Sequence, residues 1–412
     1  MKKSIYISLF IASISLFSCK NNSNNTGQAS NDSSISVESE ILEPVRNFSF
    51  DDIPEIDTIS YDNYIESVRY IALDSTKAAF VNSFPDIVYV RKIKGKYVVS
   101  SLETNKPSAK LFDADGAYIS EMFIMGRGPE ELLSPFGYVA NDSTGVVSYV
   151  DFSRLILCYD VNTQTKKRYN FPRTKEPDEM LMQWASFNDG SFAAIKSYPK
   201  DERYDDNYLP YLYFIENNVK AGKQLYYPEK RQISQTVIPE VTDFPYESWL
   251  LAQTCKGVEF LDMYNDTVYR LSPDMEKTPL YVIERDEKTR PAYSDNKRQR
   301  QKKQRYYFET MIDSKNFFVL NYYYNDERRV SVWNNKTGKR IMDVVRGPEN
   351  HFRPCSLPFS FDGFKGWLPV EYVTEDNKMY VIGNPMFFSK APSHGKRDAN
   401  AVVIEIQLKN NI

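Results

Sequence analysis

One strand–turn–strand phrase recurs along most of this chain, and that recurrence restricts the fold more than any single motif. In its first copy four β-rich runs, 87–93, 96–101, 109–113 and 117–122, fit into under 40 residues, the last two joined across Asp115-Gly116. An Asp-Gly step between apolar strands is a strong hairpin signal. The phrase returns with runs at 145–150, 155–160 and 166–171, then from Met182 with Asn188-Asp189-Gly190 as a turn and 211–215 as third strand. Further copies carry 258–261 and 267–271, then 317–322, 329–334 and 340–343, and finally 378–382 and 401–406. Six copies in about 350 residues match the period of propeller blades, about 40–50 residues each. The run 64–73 has no blade of its own and can supply the outer edge of the last one. The expected fold is all-β: a six-bladed β-propeller of four-stranded antiparallel blades, with the N-terminal strand closing the last blade. Two separate β-sandwiches would account less well for one recurring phrase. Composition agrees, because 30 Tyr, 25 Phe and 4 Trp against only 16 Gly favour strands.

The N-terminus is a separate matter. Met1-Lys2-Lys3 is a basic start, residues 5–17 are apolar apart from small hydroxyl residues, and Leu16-Phe17-Ser18-Cys19 follows. This resembles the lipobox of bacterial lipoproteins, and the apolar stretch is shorter than the ~20 residues needed to span a bilayer. The resemblance implies cleavage before Cys19, acylation of its thiol and amine, and attachment to a membrane by lipid alone. Residues 20–39 are rich in Asn and Ser and too poor in apolar groups to fold, so they read as a tether. The expected organisation is therefore a signal peptide over 1–18, a lipid-anchored disordered tether over 19–45 and the propeller over 46–412. Lys20-Asn21-Asn22 takes the place of the acidic run that marks surface export in some gut bacterial lipoproteins. The expected address is the cell envelope, at the outer membrane, with either face open. Cys158, Cys255 and Cys355 are odd in number and far apart, which favours buried thiols over disulfides.

Around the first blade, Leu111-Phe112-Asp113-Ala114-Asp115-Gly116 and Phe123-Ile124-Met125-Gly126-Arg127-Gly128-Pro129-Glu130-Glu131 form a longer phrase. Together with Ser67-Val68-Arg69-Tyr70-Ile71-Ala72-Leu73-Asp74, it resembles the opening of six-bladed β-propeller lipoproteins of Bacteroidota, related in architecture to NHL and TolB-like propellers. The resemblance implies a fold and an address rather than an activity. Arg127-Gly128-Pro129-Glu130 reads as a corner between blades, with Glu130 pairing with Arg127 or capping nearby amides. A second copy, Arg346-Gly347-Pro348-Glu349, stands 219 residues later. Repeated architecture explains both copies. A functional reading makes Arg127, Glu130, Arg346 and Glu349 a ligand-binding set, the two Arg receiving an anionic ligand at the central funnel.

No nucleophile elbow, Walker loop, zinc-binding His pair or EF-hand loop is present, and the two histidines, His351 and His394, have no ligand-spaced partner. No catalytic residue and no cofactor is expected. The one metal the chain could take is Ca²⁺, held by turn carboxylates among Asp113, Asp115, Asp151, Asp160, Asp189, Asp262 and Asp266, although turn Asp residues more often bond their own backbone. A formal charge of −3 supplies no reason to bind nucleic acid. Locally, residues 286–305 carry eight Lys or Arg against three acids. A helix capped by Ser294 would present Lys297, Arg298, Arg300, Lys302 and Lys303 to solvent, or to anionic lipid or polysaccharide. The sequence thus points to a non-catalytic binding or scaffold propeller. Its partners would be the membrane, through the anchor, and a glycan, peptide or envelope protein. The rival class is a propeller hydrolase or lyase using funnel carboxylates, with or without Ca²⁺.

Overall fold

The computed structural model describes residues 46–410 except 82–87, 103–106, 129, 152–154, 171–179, 198–210, 216–223, 226–248, 263–265, 275, 287–305, 326, 347–354 and 397–398. Pro44–Ile412 forms one compact unit built almost wholly of strands. Blade 1 comprises Tyr89–Ile93, Lys96–Ser101, Ser108–Phe112 and Tyr118–Glu121, paired in chain order and antiparallel throughout. Runs of β-branched and aromatic residues, buried on both faces as in Lys96–Ser101, account for the strands, and paired positive-φ residues account for the tight turns. Lys94 and Gly95 (φ 49° and 78°) join the first two strands, a conformation whose twist matches a hairpin.

The same order builds blade 2 from Pro135–Asn141 to Lys166–Asn170, blade 3 from Met180–Ser186 to Gln224–Leu225, blade 4 from Trp249–Thr254 to Lys277–Glu284 and blade 5 from Tyr307–Asp313 to Arg340–Val345. In blade 6 the innermost segment is reduced to a single bridge, Val373 to Met379, followed outward by Lys378–Gly383 and Val402–Leu408. Its outer strand is Ile65–Ala72, antiparallel to Val402–Leu408, so the expected N-terminal closure is present.

Six apolar clusters occupy six seams, one between each pair of neighbouring blades. The cluster of Ile71, Tyr380, Ile382 and Val403 with Val90, Tyr97, Val99 and Phe112 joins blade 6 to blade 1 and completes the ring. Gly116 (φ +89°) lies against that closure, where a Cβ would come within 2.2 Å of the Ala72 carbonyl oxygen.

Two elements go beyond the expected repeat. A hairpin, Ser356–Phe361 with Phe364–Pro369, is inserted between blades 5 and 6 and turns on Asp362-Gly363. Upstream of the closing strand, the chain runs as a strap along successive blades. Arg46–Ser49 adds a parallel fifth strand to blade 4, Ile56 bridges Met342 of blade 5, and Ile59–Ser60 pairs with the inserted hairpin. Phe48 and Phe50 pin the strap into the seam between blades 4 and 5.

Candidate functional site

The free edges of the inner strands face the propeller axis, and a cavity of about 350 Å³ lies there. Blade 1 contributes Tyr89 and Arg91 to its wall, blade 2 Tyr138, blade 3 Gln183 and Trp184, blade 4 Gln253, blade 5 Glu309, and blade 6 Glu371. Glu371 lies between the inserted hairpin, which ends at Pro369, and the inner-segment bridge at Val373.

One side of the channel is locked by interactions that join three blades. Tyr138 of blade 2 donates its hydroxyl to Glu371 of blade 6. Between them Arg91 of blade 1 stacks 3.6 Å above the Tyr372 ring centroid and donates to the Ala140 carbonyl at 3.4 Å. Burial pushes the Glu371 carboxyl above its ordinary range, while Arg91 and the Tyr138 hydroxyl pull it back. Burial first, and then the Glu371 charge, push the Tyr138 phenol well above 10. Tyr138 is therefore a fixed donor, and Glu371 is a carboxyl that takes up a proton more readily than an exposed one.

The other side is more open to hydrogen bonding. Gln183 accepts from the Leu251 amide at 2.7 Å, which fixes its orientation. Gln253 Oε1 is buried and has no hydrogen-bond partner among the described residues. A buried acceptor left in this state loses the hydration it had in water, so a donor from a ligand or water completes the site. Glu309 is paired with Arg328 at 3.0 Å. Cys355 accepts from Asn321 Nδ2 at 2.9 Å, and burial holds its thiol up at about 11, so it is an inert thiol at neutral pH.

A second polar cluster lies where the inner strands of blades 4 and 5 turn outward. Asp313 is fully buried and receives both Lys256 Nζ contacts at 3.0 Å, Tyr281 Oη at 2.9 Å and Asn335 Nδ2 at 2.6 Å. Burial, and then the neighbouring Asp313 charge, raise the Glu259 carboxyl well above its ordinary range. Lys256 and Tyr281 of blade 4 thus converge with Asn335 of blade 5 on one buried carboxylate, so the cluster reads as a latch between the two blades.

The residues picked from sequence are distributed differently. Arg127 is exposed on a corner where Ile124–Met125 pairs in parallel with Glu131–Leu132. Glu130 pairs with Lys166 at 3.3 Å, and it is Glu131 whose carboxylate accepts the Gly128 amide, at 2.6 Å. The corner is thus closed by Glu131, contrary to the role expected of Glu130, because only the carboxylate returning on the paired strand reaches across Gly126. Arg346 is buried, and its Nη1 donates to Asn321 Oδ1 at 3.4 Å, one residue away from the Cys355 wall of the cavity. Glu349 and the basic residues Lys297, Arg298, Arg300, Lys302 and Lys303 lie outside the described residues.

The turn carboxylates are engaged locally. Asp113, Asp160 and Asp189 each accept amides of their own turns, and Asp266 pairs with Arg285. Among the described residues no group of three or more His, Cys, Asp or Glu could hold a metal ion. Sequence reasoning missed Arg91, Tyr138 and Glu371. Arg91 and Tyr138 read as ordinary strand positions and Glu371 as a connection residue, and what they share, a place on the inner edge of a blade, is visible only once strand order within each blade is known.

Fold and cavity together define a closed six-bladed β-propeller with a polar-walled central pocket. Residues 45–385 match the model of the family described as a domain of unknown function, DUF4934, and the chain belongs to that family. A solved structure from Bacteroides fragilis, named as an exported protein, is similar at 11% identity and a TM-score of 0.55, over 89% of this chain and 99% of that one. Weaker likenesses include the RRP9 WD40 repeats (10% identity, TM-score 0.39, 86% of this chain and 100% of that one). An oligogalacturonate lyase in complex with manganese is also similar (12% identity, TM-score 0.37, 87% and 99%). No curated protein matches the chain.

Proposed function

We propose that this chain is a cell-envelope lipoprotein of the six-bladed Bacteroidota type, with NHL or TolB-like architecture, anchored through Cys19 and binding a ligand in the central channel without transforming it. The observation that carries the reading is the cavity wall, where the unpartnered Gln253 Oε1, the oriented Gln183 and the Glu371 carboxyl converge beside Trp184 and Tyr89. Acceptors beside flat aromatic surfaces suit a ligand with several hydroxyl or amide donors and an apolar face, as a glycan or a short peptide has. The naming of the Bacteroides fragilis neighbour as an exported protein accords with an envelope address.

A hydrolase or lyase is the second reading, favoured by one feature: Glu371, a carboxyl whose affinity for protons is raised by burial, stands in the cavity beside a fixed phenol donor. An array of envelope glycans and peptides, probed with the intact chain, tests binding. Hits are then incubated with the protein, with and without chelator. Hits recovered unchanged support the binding reading; product formation overturns it in favour of the enzyme.

A further inference from the structure

Exposed large apolar side chains are distributed very unevenly over this propeller. Among the described residues they are Ile53, Phe80, Ile124, Met125, Leu133, Val345, Met386 and Phe387. Phe80 lies between blades 6 and 1, Ile124, Met125 and Leu133 between blades 1 and 2, and Val345 at the end of the outer strand of blade 5. Met386 and Phe387 lie between the second and third strands of blade 6. In an antiparallel four-stranded blade, the outer-to-inner connections and the second-to-third connections leave from the same end of the strands. Seven of the eight therefore belong to one face of the ring, and the eighth, Ile53, to the strap. No turn at the opposite end displays one among the described residues.

These tips are built rather than loose. Lys110 Nζ holds the carbonyls of Ala78 and Phe80 at 2.6 and 3.0 Å. Gly126 N donates to the Leu132 carbonyl at 2.9 Å under Ile124 and Met125. Asn384 accepts the Met386 amide at 3.0 Å and caps the short turn that carries Phe387. Three tips have a cation close in the chain: Lys77 before Phe80, Arg127 after Met125, and Lys396 in the same connection as Phe387. Of the neighbouring acids, Glu130 is neutralised by Lys166, and Asp362 by Lys390 at 2.7 Å. Separate apolar tips flanked by Lys or Arg match a lipid interface, where the apolar group enters the acyl boundary and the cation stays among the headgroups.

We propose that this face docks on the surface of a bilayer, with Phe80, Ile124, Leu133 and Phe387 entering the headgroup region. The inference rests on the proposed anchoring at Cys19. Residues 19–45 could span at most about 90 Å when extended, enough for any face of the propeller to reach the membrane that holds the lipid. Weak tips then suffice, because the anchor supplies a high local concentration.

The test uses the chain from residue 19 onward, held by an N-terminal His tag to vesicles of phosphatidylethanolamine, phosphatidylglycerol and a nickel-chelating lipid, so that docking is read independently of native acylation. Phe387→Trp, Ile124→Trp and Ile53→Trp are compared with the parent chain for quenching by brominated acyl chains. An indole held about 5–10 Å inside the interface meets the brominated chains and loses emission relative to the parent chain. Docking predicts that loss for Phe387→Trp and Ile124→Trp and none for Ile53→Trp, which is off the face. Equal quenching at all three positions, or at none, overturns the docked face, and the second result would leave the tips to a protein partner. The mass of the chain isolated from its native envelope reports acylation separately, so an unacylated Cys19 would sink the anchor without touching the docking result.

Discussion

The strap makes a quantitative prediction. Phe48 has no exposed surface and stacks on Phe318 with centroids 4.9 Å apart and planes 11° apart. Tyr281 lies 4.8 Å and Trp333 5.9 Å from it, so one ring from blade 4 and two from blade 5 surround this strap residue. Trp333 Nε1 also donates to the Ser49 carbonyl at 2.9 Å, so the strap cannot slide to refill a hole. Phe48→Ala therefore leaves a cavity lined by rigid aromatics, and the expected loss is about 3–5 kcal/mol. That loss lowers the folding equilibrium constant by a factor of about 10² to 10⁴. Equilibrium urea unfolding followed by tryptophan emission reads it directly, since Trp333 is in the seam. Ile53→Ala is the control: Ile53 is 85% exposed on the same strap and should change stability by no more than about 0.5 kcal/mol. If Phe48→Ala unfolded at the same urea concentration as Ile53→Ala, the strap would not be part of the seam.

Two further outcomes follow from the buried carboxyl and the closure. Glu259 keeps its proton in the folded state at pH values where the unfolded chain, near its ordinary value of about 4.3, has released it. Stability from this group is thus fully present below that value and is lost as pH rises through the elevated folded pKa. Glu259→Gln should flatten the fall of Tm with rising pH relative to the parent, and parallel Tm profiles would contradict the assignment. Gly116→Ala forces a Cβ into the Ala72 carbonyl at a positive φ, so it should cost more than about 1 kcal/mol and lower Tm. An unchanged Tm would mean that blade 6 is not closed against that turn.

Most of the ring was legible before any coordinates. The recurring phrase located strands in all six blades, and the unpaired run at 64–73 announced the closure seen as Ile65–Ala72. The strap was less visible because Arg46–Ser49 and Ile59–Ser60 are two to four residues long, shorter than any alternation that could be counted. The inserted hairpin on Asp362-Gly363 was not set apart, because an extra hairpin and a blade strand pair look alike in sequence. The site was the least legible part. Tyr138 and Glu371 are 233 residues apart and meet only because the closed ring brings blades 2 and 6 to one channel. Arg-Gly-Pro-Glu repeats stood out in the text because corners need Gly and Pro for backbone reasons, and such needs mark architecture as readily as function.

The channel claim is most directly tested by the affinity of an array hit for three variants, measured by calorimetry on the intact chain. Trp184→Ala removes an aromatic wall, Gln253→Leu removes the unpartnered acceptor, and Arg127→Ala alters only an exposed corner. A hydrogen bond to a buried acceptor and one stacking surface each contribute about 1–1.5 kcal/mol, so Gln253→Leu and Trp184→Ala should each weaken binding about 5- to 10-fold. Arg127→Ala should leave it unchanged. A ligand held as tightly by both channel variants as by the parent chain, and lost from Arg127→Ala, would place recognition at the corner and contradict the channel as the binding site.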